Sequence, residues 1–171
     1  MIRYVFAAIA GIGCVCLGYM KSRALIMREA ALAAWLHALE TLAAQISYSD
    51  DGIADILSAS VSEETEAERN LAAVFREASA NMKCSKLATL AESLPREWSQ
   101  NLTAQDKAIL LPIINRIGSS ERYQQLRELE GAKQALAAQT QAAASRTARE
   151  KRLYSTLGTL GGLALFLFLI G

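Results

Sequence analysis

The sequence is 171 residues long, room for one domain with flanking hydrophobic segments and little more. Hydrophobic residues make up 52% of it and aromatics only 6%, with two prolines, a balance that favours helices and leaves little for a β-sheet. A formal charge of +1 excludes a broad basic surface for nucleic acid, and three cysteines (Cys14, Cys16, Cys84) cannot build a disulfide framework.

Residues 4–20 carry no charge and are bounded by Arg3 and Lys21, and residues 153–171 are likewise uncharged. At 1.5 Å per residue each stretch reaches roughly 25–28 Å, the length of a membrane-spanning helix. A cleaved signal peptide is disfavoured for the first, because KSRALIMREAALAAW continues the helix without a break. Lys21, Arg23, Arg28, Arg146, Arg149, Lys151 and Arg152 flank the two stretches on their inner sides, against Arg3 alone outside. By the positive-inside rule the middle of the chain faces the cytoplasm and both termini the far side. The chain thus divides into an N-terminal transmembrane helix (1–20), a cytoplasmic helical bundle (21–152) and a C-terminal transmembrane helix (153–171).

The first helix continues to about Tyr48 with Leu32, Leu36, Leu39, Ala43 and Ile46 on one stripe. SDDG then breaks it, and Asp51 is placed to cap a short helix through Ile53, Ile56 and Leu57. Glu63, Glu64, Glu66 and Glu68 open a third helix, where acid suits the N-terminus, with Leu71, Val74, Phe75 and Ala78 as its buried face. A fourth helix is expected over 85–99, kinked or split at Pro95. Thr103 and Asp106 form a capping box for a fifth, carrying Ile109, Leu110, Ile113, Ile114 and Ile117, bent at Pro112 and ended by Gly118. The sixth starts near Ser120 and runs unbroken into the final hydrophobic segment. The fold class is therefore all-α, an antiparallel bundle of about six helices flanked by N- and C-terminal transmembrane helices.

Counting inward from the two membrane exits puts residues whose numbers sum to about 173 at equal height. Ala30 then lies opposite Ala143, Ala34 opposite Gln139 and Ala38 opposite Ala135, and small residues at these levels would let the two helices approach closely as a stalk. Gly158, Gly161 and Gly162 suit helix packing in the bilayer, with Ser155, Thr156 and Thr159 placed for interhelical hydrogen bonds.

Catalytic equipment is lacking. The single histidine, His37, has no accompanying ligand cluster, and no phosphate-binding or nucleophile-elbow motif occurs. The glutamates at 63–68 read as a solvated helix start rather than a metal site, and Trp35 and Trp98 as core anchors. No enzyme activity, cofactor, metal or small-molecule substrate is expected. With Asp50 and Asp51, the acidic residues Glu63, Glu64, Glu66 and Glu68 form a candidate surface for a basic partner.

The layout resembles the stage III sporulation protein AB family of endospore-forming bacteria. The segments that carry the resemblance are GYMKSRAL at the first membrane exit, LHALETLAAQISYSDDGIADIL, INRIGSSERYQQL, and the ending REKRLYSTLGTLGGLALFLFLIG. The chain departs from the family pattern at Gly52 and Ile53, where a proline-leucine pair is usual, and at Pro112; the match is weakest over residues 84–101. The resemblance implies a component of the channel complex around the forespore, on the mother-cell side of its outer membrane. It also implies a soluble domain similar to the cytoplasmic domain of type II secretion and type IV pilus platform proteins. The implied partners are an ATPase resembling stage III sporulation protein AA, other membrane proteins of the complex, and membrane lipid. A platform protein of a non-sporulation secretion or pilus system, or a membrane-anchored structural scaffold, are the alternatives.

Overall fold

The computed structural model describes residues 2–49, 52–85, 90–117 and 122–170; the side chains of residues 2–11, 14, 85, 122, 155, 158, 162, 165, 166 and 168–170 fall outside the description. Among the described residues all the regular structure is helical: α1 (Ile2–Tyr48), α2 (Ile53–Ala59), α3 (Glu66–Ser85), α4 (Leu90–Ser93), a 3₁₀ turn (Arg96–Ser99), α5 (Ala104–Arg116) and α6 (Arg122–Ile170). It divides into two compact units. One comprises Met1–Glu29 and Ala142–Gly171, the other Ala30–Gln141.

The second unit holds the core. The buried stripe of α1 is wider than the leucine pattern suggests: Trp35, Ala38 and Leu42 join Leu32, Leu39 and Ile46, while Leu36 and Ala43 are only half-buried. Ile56 and Leu57 of α2 and Leu71, Phe75 and Ala78 of α3 are buried where these two helices pack together; Leu110, Ile113 and Ile114 of α5, which packs on α4, are buried too, as are Leu129 and Leu136 of α6. Each such leucine or phenylalanine contributes about 1.5–3 kcal/mol relative to exposure. Trp35 stands edge-on to two rings, Phe75 at 5.4 Å and Trp98 at 5.9 Å between centroids, so the 3₁₀ turn is fastened to the core through an aromatic edge.

The helix ends show how local chemistry divides the chain. The cap expected at Asp51 lies outside the described residues; α2 opens from Gly52, whose extended backbone offers its carbonyl to the N–H groups of Asp55 and Ile56. The helix α3 begins at Glu66, after rather than with Glu63 and Glu64. The fourth helix expected over 85–99 is split at Pro95 as expected, into α4 before it and the 3₁₀ turn after it; residues 86–89 lie outside the described residues. Leu94 precedes a proline, which disfavours continuing the helix through it, and Pro95 itself takes an extended conformation as the cap of the 3₁₀ turn. Asn101 then adopts a positive φ of 65°, which asparagine tolerates better than most residues. At α5 the expected capping box is fully formed, with the Thr103 hydroxyl accepting from the Asp106 N–H and the Asp106 carboxylate from the Thr103 N–H. Pro112 sits within this helix, and Ile117 ends it in extended conformation, one residue before the expected stop at Gly118. Gly118 and the expected start of α6 at Ser120 lie outside the described residues.

In the first unit the start of α1 runs beside the end of α6, so the two helices are antiparallel there. The Thr147 hydroxyl reaches the Leu25 carbonyl at 3.5 Å, and their numbers sum to within one of the value expected for residues at equal height. Among the described residues no helix is long and apolar enough to cross a membrane. The membrane-spanning character expected of residues 4–20 and 153–171 is therefore not carried by the described residues.

Candidate interaction site

The acidic segment ahead of α3 is more ordered than its composition implies. Thr65 and Glu68 form a second reciprocal capping box: the Thr65 N–H donates to the Glu68 carboxylate at 2.9 Å and the Glu68 N–H to the Thr65 hydroxyl at 3.2 Å. The main-chain hydrogen bond from Thr65 holds the Glu68 carboxyl below its ordinary pKa, helped by the Thr65 hydroxyl and by the charge of nearby His37. The signal for this box was present as T-x-x-E at 65–68, but with the three glutamates before Glu68 it read as a diffuse charge run.

Because the folded pKa is lowered, the stabilisation exists when Glu68 is ionised and is lost as pH falls through that value. Wild type should therefore exceed Glu68→Gln in thermal stability at neutral pH, and the advantage should vanish at acid pH. An advantage undiminished in acid, in paired melting curves of the detergent-solubilised chain, would refute the assignment.

Glu63 is likewise committed, pairing with Arg76 at 2.6 Å across the start of α3. Nearby, Lys83 of α3 reaches Asp55 of α2 at 2.6 Å, and the Ser79 hydroxyl donates to the Ala54 carbonyl at 2.6 Å. Of the proposed acidic surface, Glu64 and Glu66 are exposed, whereas Glu63 and Glu68 are exposed or half-buried but engaged within the chain. Asp50 and Asp51 lie outside the described residues. His37 is exposed on α1, and its carbonyl accepts from the Thr41 hydroxyl. Among the described residues no group of three potential ligands could hold a metal ion.

The stalk alanines separate by face. Ala34, Ala38 and Ala143 are buried and Ala30 is half-buried. Ala135 is exposed, which corrects its expected packing role; the buried α6 positions near it are Ala132 and Leu136. Equal height fixes position along the axis but not direction around it, and one residue turns the side chain by about 100°. At Gly161 a Cβ would meet nothing within 4 Å among the described residues. The packing expected of Gly158 and Gly162, and the hydrogen bond expected of Ser155, lie outside the described residues. Thr156 donates to the Arg152 carbonyl and Thr159 to the Thr156 carbonyl, along their own helix.

At the far end of the first unit, large apolar side chains stand in the open. Ile12, Leu17, Tyr19 and Met20 of α1 and Leu153, Leu157, Leu160, Leu163 and Leu167 of α6 are all more than half exposed. Directly beside them, Lys21 and Arg23 on α1 and Arg149, Lys151 and Arg152 on α6 are exposed. Arg146 pairs with Glu150 at 2.7 Å, and Arg28 is half-buried with a partner of its own. Cys16 and Cys84 are exposed free thiols.

Compared with known families, residues 3–170 match the model described as stage III sporulation protein AB. The chain belongs to the stage III sporulation protein AB family. That match spans both hydrophobic ends as well as the helical unit between them, so the two units are parts of one family architecture. No curated protein and no solved structure matches the chain. Membership makes this a sporulation-associated protein.

Proposed function

We propose that the chain is a non-enzymatic membrane platform of the sporulation channel linking mother cell and forespore. Both ends enter the outer forespore membrane, and Ala30–Gln141 stands on the mother-cell side to receive a secretion-type ATPase resembling stage III sporulation protein AA. The observation that carries the reading is the exposed apolar belt of the first unit, in a chain of a sporulation family. Apolar area left open on this scale marks a surface that something apolar covers. The uncharged stretches 4–20 and 153–171 make a bilayer the fitting cover, and the basic residues bordering them support an inward-facing middle. The partners on this reading are the ATPase, other membrane proteins of the complex and lipid, with no nucleic acid and no small-molecule substrate.

In sporulating cells the full chain should remain in the membrane fraction after alkaline carbonate washing, and exposed Cys84 should react with an impermeant maleimide only once the cytoplasm is opened. Recovery as a soluble protein would overturn the reading.

For the ATPase, Glu64→Lys with Glu66→Lys is the informative pair, because neither side chain caps a helix or forms an ion pair among the described residues. Co-purification with the ATPase should fall about tenfold or more, the cost of roughly 1.4 kcal/mol of misplaced charge. Undiminished recovery would remove this surface as the docking face.

A further inference from the structure

We infer that the basic collar of the first unit is a binding site for anionic phospholipid headgroups, selecting the lipids that border the two helices. This rests on the membrane reading above and goes beyond it by naming the lipid class. Thr147 and Leu25 meet at one level. Two residues further along each antiparallel helix come Arg23 and Arg149, and two further again Lys21 and Lys151, with Arg152 adjoining. These levels lie about 3 Å apart along the axis, so five cations from two helices occupy a band less than one helical turn deep. All five are exposed, and among the described residues none has a carboxylate within ion-pair distance; the one acidic group in the band, Glu150, is taken by Arg146. The apolar belt begins at the next residues, Met20 and Leu153, both exposed.

A ring of unneutralised cations directly beneath an apolar belt matches a molecule with a phosphate at one end and acyl chains at the other. A soluble phosphate would use the cations but gain nothing from the belt. A zwitterionic headgroup would bring its own ammonium into a band already positive. Phosphatidylglycerol and its bis-phosphate relatives satisfy both parts, and each basic side chain near such a surface adds appreciable attraction that salt screens.

The test reconstitutes the full chain in phosphatidylcholine vesicles containing a trace of spin-labelled phosphatidylglycerol or spin-labelled phosphatidylcholine, and compares the motionally restricted fractions. Wild type should hold phosphatidylglycerol at least about threefold over phosphatidylcholine, falling with added salt. The variant R149Q/K151Q/R152Q should approach parity, with Cys84 labelling showing its orientation unchanged. K21Q/R23Q, on the other helix, carries the same comparison if the triple variant inserts inverted. Equal restriction of both lipids by wild type, or wild-type selectivity in correctly oriented variants, overturns the lipid assignment. A chain that alkaline carbonate strips from the vesicles overturns the membrane reading itself. One that stays inserted without preference overturns only the lipid assignment.

Discussion

Phe75→Ala should lower the stability of the helical unit by about 3–5 kcal/mol, the usual cost of removing a fully buried aromatic ring. Phe75 is 1% exposed in the middle of α3, and its ring meets the face or edge of Trp35 on α1 at 5.4 Å. Trp35 also holds Trp98. Truncation therefore removes the transfer energy of the ring, leaves a cavity, and loosens the aromatic attachment of the 3₁₀ turn. For a domain of this size the midpoint of thermal unfolding should drop by roughly 10 °C or more, read by circular dichroism on the detergent-solubilised chain. Ala73 on the same helix is exposed, and Ala73→Ser should change the midpoint hardly at all. A Phe75→Ala variant that melts with wild type would mean that α3 does not pack through this ring.

Asp106→Ala is the second large effect, and it acts through polar groups. The carboxylate is fully buried and accepts from both the N–H of Thr103 at 2.9 Å and its hydroxyl at 2.7 Å. Removing it deletes half of the capping box and takes the charged acceptor away from both Thr103 donors. A cap is worth about 1 kcal/mol, and a hydrogen bond to a charged group about 1.5–3 kcal/mol, so a loss of about 2–3 kcal/mol is expected. Thr103→Ala should cost about 1 kcal/mol, and the double variant little more than Asp106→Ala alone, because both act on one device. Full additivity in urea titrations would show that the two residues stabilise the chain independently.

The sequence showed some of this plainly and hid the rest for physical reasons. The Thr103/Asp106 box was legible because its residues stand alone before an apolar run; the equivalent Thr65/Glu68 box was masked by Glu63, Glu64 and Glu66 around it. Leucine spacing revealed the inward side of α1 but not its width, since Trp35 and Ala38 belong to it through the shape of what they touch. The break in helix four was legible at Pro95, because proline constrains the residue before it as well as itself, whereas nothing in the pattern showed that the piece after it would be a 3₁₀ turn. For the candidate site, composition identified acidic residues but could not separate those held within the chain from exposed Glu64 and Glu66. The end-to-end count set the level of Thr147 against Leu25 correctly, yet it could not tell exposed Ala135 from buried Leu136.

The short helix α4 is tied to its neighbours through its main chain. The Leu90 N–H donates to the Ile117 carbonyl at 3.1 Å, and the Asn81 side-chain amide donates to the Ser93 carbonyl at 3.0 Å. Four residues of helix have almost no stability of their own, so these links and the burial of Leu90 set its place. Peptide groups are the same in every residue, so such a tether leaves most side chains of the segment unspecified. The stretch from Leu90 to Ser93 can thus drift in sequence while keeping its position, with the constraint carried by Asn81 and the end of α5.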